Sequence, residues 1–112
     1  MEVKVGDIVL CRFYFSDLKT YKNRPVLVFV DNLPFDDFIA IPISSRIDNL
    51  HKDEFVLELS DFASGVLPAK SKIMIRKTFV VSKEAVIKKY AEITKNCFEQ
   101  CHHEFCCYFR CA

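Results

Sequence analysis

The feature that most constrains this chain is a succession of short β-branched and aromatic runs, each stopped by turn-forming residues before it reaches helical length. Asp7–Tyr14 reads Asp-Ile-Val-Leu-Cys-Arg-Phe-Tyr and is entered by Gly6. Residues 25–30 and 38–43 are apolar throughout and are separated by the turn-rich Asp31-Asn32-Leu33-Pro34. Periodicity alone does not separate such a run from a buried helix segment, but its shortness favours a central strand. Phe55, Leu57 and Leu59 alternate with Glu54, Val56 and Glu58, the pattern of a half-exposed strand. Residues 61–65 read as a turn and residues 72–81 as a further strand. Five short strands, with a long loop after the first, favour a small barrel, and 112 residues leave room for one core.

Helix is expected only late. Ser82 is placed to cap a short helix over 83–90, with Glu84 near its positive end. Thr94 can cap a second over 95–110, on which Cys97, Cys101, Phe105 and Tyr108 share a stripe flanked by Phe98 and Phe109. The expectation is a mainly β (α+β) chain. Residues 1–94 would form the barrel, with its short helix at 83–90, and residues 95–112 a Cys-rich helix of the same domain.

Several function classes fall away at this point. The net charge of +1 provides no overall field for holding nucleic acid, so a basic site must be local. The apolar runs are too short to span a bilayer, and the first residues lack a basic segment followed by an apolar one. The expected compartment is therefore cytoplasmic, where disulfides rarely persist. With two glycines there is no phosphate-cradling loop, and neither Cys-x-x-Cys nor a nucleophile elbow occurs. His51 stands in a polar loop and reads as a solvated surface residue. The tail Cys97-x3-Cys101-His102-His103-x2-Cys106-Cys107-x3-Cys111 could, as a helix, set His and Cys at metal-sharing i,i+4 spacing. Packing of its cysteines as small hydrophobes is favoured over metal binding or redox sensing, and the spacing matches no established zinc module. No metal site and no cofactor are assigned.

A set of ordered motifs resembles the MazF/PemK-type toxins. Gly6-Asp7-Ile8-Val9-Leu10 is followed by Phe13-Tyr14-Phe15-Ser16-Asp17-Leu18, a basic loop, and Arg24-Pro25-Val26-Leu27-Val28. Ala40-Ile41-Pro42-Ile43-Ser44-Ser45-Arg46-Ile47 is similar to the family's Pro-Ile-Thr-Ser segment. Leu67-Pro68-Ala69-Lys70-Ser71 and residues 77–82 echo its later block. The match runs from residue 6 to about 94.

The resemblance implies an SH3-like barrel that is homodimeric, cuts single-stranded RNA without a metal, and is neutralised by a cognate antitoxin. Attack by the RNA's own 2′-hydroxyl would leave a 2′,3′-cyclic phosphate and a 5′-hydroxyl. It carries Arg24 and Ser44 over as catalytic residues, Ser44 standing where the family has threonine. Expected RNA contacts are Phe15, Lys19, Lys22, Ser45, Lys72, Arg76 and Lys77. By itself, Arg24 beside a proline also suits a salt-bridged surface arginine, and the cations of residues 70–77 suit a solvated strand face as well as phosphate contacts. Two rivals share the fold class: a toxin that poisons DNA gyrase, an activity associated with C-terminal aromatics including Trp, which this chain lacks, and a binding module without chemistry.

Overall fold

The computed structural model describes residues 2–14 and 19–110, with Tyr14 described by its backbone alone. Eight strands, β1 (Asp7–Tyr14), β2 (Tyr21–Val30), β3 (Asp37–Ser44), β4 (Glu54–Val56), β5 (Phe62–Gly65), β6 (Lys72–Met74), β7 (Phe79–Ser82) and β8 (Val86–Ile93), precede the helix α1 (Lys95–Phe109). They pair antiparallel in the order β4-β6-β3-β2-β1-β8-β5, with β7 also on β3, and the sheet curls into the expected SH3-like half-barrel.

The long central strands are buried on both faces, which is why their sequences are nearly continuous apolar runs. Ile8, Leu27, Ile41 and Ile43 enter one core together with Ile73, Ile75, Leu57 and Ile93. Val9, Val26, Val28 and Ala40 enter a second with Phe38 and Val81. Adjacent residues on one strand therefore feed opposite cores, as the pleat requires. Gly6 takes a φ of +93°, which a side chain would resist, and Asp7 closes the turn by accepting from the Lys4 backbone N–H at 3.0 Å. At Gly65 a Cβ would stand 2.3 Å from the Tyr90 carbonyl oxygen, so only glycine lets β5 lie against β8.

Four sequence expectations need correction. The strand expected over 72–81 is broken, because Arg76 N–H donates to Asp53 Oδ2 at 2.8 Å instead of to a neighbouring strand, and residues 75–77 make a single 3-10 turn. The helix expected over 83–90 lasts one 3-10 turn, Lys83–Ala85. Ser82 does cap it, accepting from Glu84 N–H at 3.2 Å, but β-branched Val86 and Ile87 then join β8, which completes the ladder of β1. The turn expected at 61–65 is instead strand β5, pairing with β8. In the alternating segment only Glu54–Val56 is strand, and Glu54, placed by its spacing on the solvent side, is buried.

Helix α1 begins as its sequence indicates, with Thr94 Oγ1 accepting from Cys97 N–H at 3.1 Å. Cys97 and Cys101 are free thiols buried in the first core, where hydrogen bonding to Cys97 and burial push the Cys101 thiol up. Phe98 and Phe105 pack on Phe29 with ring centroids at 5.5 and 5.0 Å. Tyr108, expected on the same stripe, is 47% exposed. Among the described residues no group of three metal-ligating side chains converges, and no helix is long and apolar enough to cross a membrane; Cys111 lies outside them.

Candidate active site

Strand β2 starts exposed and is buried from Val26 to Phe29, so its first residues stand clear of the core that the later ones anchor. Arg24 sits at that exposed start, opposite Cys11 of β1. The last pair of the β2–β3 ladder at this end is Val26 with Pro42. Arg24 lies two residues before Val26 and Ser44 two residues beyond Pro42, and both line the same two cavities.

Three adjoining cavities meet at Arg24. One of about 290 Å3 is lined by Lys22, Arg24, Ser44, Ser45, Arg46 and Tyr90 among others. A second, of about 360 Å3, shares Lys22, Arg24, Ser44 and Arg46 and adds His51, Glu54, Lys72, Arg76 and Lys77. The third, about 310 Å3, is bounded by Phe13, Arg24, Met74, Lys77 and Phe79. Lys22, Arg24, Arg46 and Lys77 form no ion pair with any described residue. Ser44 Oγ accepts from the Arg46 backbone N–H at 3.1 Å, which fixes the oxygen and leaves the hydroxyl proton to donate.

The carboxylate-paired cations of the second cavity are chemically different. Lys72 pairs with Ser44 across β3 and β6, but its side chain is 8% exposed and its ammonium donates to Glu54 Oε1 at 2.6 Å and Asn49 O at 2.9 Å. Arg76 Nη1 reaches Asp53 Oδ1 at 2.9 Å and Glu54 Oε2 at 2.7 Å. Burial opposes charge on Glu54, yet the His51 backbone N–H, Lys72 and Arg76 together hold its carboxyl down at about 2. Sequence places no acid among the cations of residues 70–77; the fold brings two from β4 and the loop before it. A phosphate would have to compete with these carboxylates for Lys72, whereas the guanidinium of Arg76, 31% exposed, still borders the cavity.

Of the remaining expected contacts, Lys22, Ser45 and Lys77 are exposed on the cavity rim. Lys19 is exposed but lines none of the three cavities. Phe15 lies outside the described residues. Lys70 pairs with Glu58 at 3.3 Å and lines none of the three cavities. Two further residues line the cavities: Arg46, two residues after Ser44, and His51, exposed as its polar loop indicates.

Comparison with known proteins identifies the family. Residues 4–109 match the family model described as PemK-like, MazF-like toxin of type II toxin–antitoxin system. No curated protein sequence matches the chain. Among solved structures, MazE–MazF from Deinococcus radiodurans is similar at a TM-score of 0.75 and 15% identity, covering 98% of this chain and 97% of that one. A mycobacterial endoribonuclease in complex with its cognate antitoxin has a TM-score of 0.74 at 14% identity, covering 99% and 98%. The Mycobacterium tuberculosis toxin MazF-mt6 has a TM-score of 0.71 at 14% identity, covering 95% and 98%. The shared architecture, and a family match spanning nearly the whole described chain, make this protein a member of the PemK-like, MazF-like toxins of type II toxin–antitoxin systems.

Proposed function

We propose that the chain is an endoribonuclease that cuts single-stranded RNA without a metal ion, using Arg24 and Ser44. The observation that carries this reading is their juxtaposition: an unpaired guanidinium and a hydroxyl with a free proton on the walls of one cavity. Attack of a 2′-hydroxyl on the adjacent phosphorus builds negative charge on the non-bridging oxygens. A guanidinium meets two such oxygens with forked donors and does not lose its proton. The Ser44 hydroxyl adds one more donor already held in place, a type of contact that contributes about 3 kcal/mol to lowering a barrier. The required 2′-hydroxyl restricts the substrate to RNA.

Lys22, Ser45, Arg76 and Lys77 would hold the flanking backbone, and Lys19 the strand beyond the cavity. Phe15 would stack on a base. The partners would be a second copy of the chain and an acidic antitoxin segment that covers the 19–24 region in the cytoplasm. Two of the similar solved structures are named as toxin–antitoxin assemblies, which supports the second partner.

The test is incubation of purified protein with a long, structure-poor RNA in EDTA, followed by mapping of new 5′-hydroxyl ends. Cleavage at a recurrent sequence is expected. Intact RNA, with the protein bound to it or inhibiting gyrase, would sink the nuclease reading in favour of one of its rivals.

A further inference from the structure

Among the described residues that line the three cavities around Arg24, the carboxylate and imidazole side chains are those of Glu54 and His51. Glu54 is unsuited to accepting a proton. Its side chain is 1% exposed, and both oxygens are already occupied by Lys72, Arg76 and the His51 N–H. An acid held that far below its ordinary range is a poor base. His51 is exposed and opens onto the cavity that Arg24 and Ser44 share.

Its backbone is also held at both ends. His51 N–H donates to Glu54 Oε1 at 3.0 Å, and Glu54 N–H donates back to His51 O at 3.0 Å. Lys72 Nζ fixes the same loop two residues earlier, donating to Asn49 O at 2.9 Å. Buried charges are costly to keep, and a pair is weak evidence for stability. Here the ion pairs tie the Ser44 partner strand, the 49–54 loop and the imidazole's backbone into one rigid wall.

Granted the cleavage reading on which this rests, we propose that His51 is the proton acceptor of the reaction. The 2′-hydroxyl proton passes to an unprotonated ring nitrogen, and the freed O2′ pair forms the O2′–P bond. The P–O5′ bond breaks with its electron pair on O5′, which takes a proton from water in the open cavity. The imidazolium returns its proton to the hydroxide so formed, and nothing is oxidised or reduced. The charged groups sharing the cavity are Lys22 and Arg24 from β2, Arg46 beyond β3, Glu54 from β4, Lys72 from β6, and Arg76 and Lys77 from the turn after it. Glu54 is the one anion among them, and its charge is met by Lys72 and Arg76.

The experiment compares wild type, His51→Ala and His51→Gln in single-turnover cleavage of a defined RNA in EDTA, with affinity measured on a 2′-deoxy-blocked oligonucleotide. Both variants should lose roughly a hundredfold or more in rate while affinity stays within about threefold. Imidazole in the buffer should restore part of the His51→Ala rate. The acid limb of the wild-type pH–rate profile should be missing from both variants, which loss of a merely structural residue would not cause. A cleaving wild type beside a His51→Ala protein within about threefold of it would overturn the His51 role alone. Equal losses of rate and affinity would overturn it as well, making His51 a binding residue. A wild type that leaves RNA intact would remove the cleavage reading and this role together.

Discussion

Two sets of cations line one cavity, and they differ in everything except charge. Lys22, Arg24, Arg46 and Lys77 are exposed and meet no carboxylate among the described residues. Lys72 and Arg76, one and five residues beyond Ser71, are locked onto Asp53 and Glu54. The first set is electrostatically unsatisfied, which is the condition for binding an anion. The second is satisfied internally and acts as scaffold. A cation in sequence is therefore not a cation available to a ligand; desolvation and pairing decide which it is.

The largest effect should come from breaking the locked side. Glu54→Ala leaves Lys72 with only a carbonyl and strips Arg76 of one of two carboxylates, so a loss of about 3–5 kcal/mol in unfolding free energy is expected. Urea midpoints at constant slope would measure it. A loss below about 1 kcal/mol would put the pair in the class of surface salt bridges. The pH dependence follows with a definite sign. Because Glu54 is held at about 2 in the folded chain against an ordinary 4.5, its contribution is complete above pH 4.5 and drains away as pH falls towards 2. Glu54→Gln should be flatter than wild type over that window, and parallel curves would assign acid unfolding to other carboxylates.

Breaking the open side should spare the fold and cost catalysis. Arg24→Ala removes an exposed side chain, so its unfolding curve should match wild type within about 0.5 kcal/mol. Its turnover should drop by roughly 10²–10³, with affinity for a blocked oligonucleotide partly preserved, since its donors serve charge that develops during cleavage. Ser44→Ala should lose less than Arg24→Ala, one neutral donor against a charged fork. A folded Arg24→Ala protein that cleaves at the wild-type rate would end its catalytic assignment.

How much of this was legible beforehand depends on the range of the interactions. Strands β1 to β3 were readable because burial on both faces writes itself as unbroken apolar runs. Strands β4 to β6 were missed or misdrawn because three or four residues carry too little period, and Arg76 left its ladder for a carboxylate 23 positions away. Residues 83–90 look helical locally; the open edge of β1, invisible in sequence, recruits them as strand. Arg24 and Ser44 were reachable only through the family resemblance, since no local pattern sets an arginine at one strand start against a serine at another strand's end. The locked pairs were unreadable for the same reason, and Glu54 was placed facing water.

The smallest expected effect is the most discriminating between the two walls. Each lysine that touches a phosphate of single-stranded RNA releases about 0.7 of a counterion, so its removal should lower the slope of log K against log salt by that amount. Lys77→Ala and Lys22→Ala should each show the change, because both ammonium groups are exposed on the cavity rim. Lys72→Ala should leave the slope where it is, since its charge is spent on Glu54, and should instead appear as lost stability. Arg76→Ala tests the boundary case: Nη1 is committed to Asp53 and Glu54, while the side chain remains 31% exposed beside the cavity. Slopes would be measured on a 2′-deoxy-blocked oligonucleotide at several salt concentrations. An Arg76 slope change near that of Lys77 would mean that its outward donors bind phosphate while its inward ones hold the wall. An unchanged slope would confine RNA to the open side of the cavity, with Arg24, Lys22 and Lys77 as its electrostatic contacts.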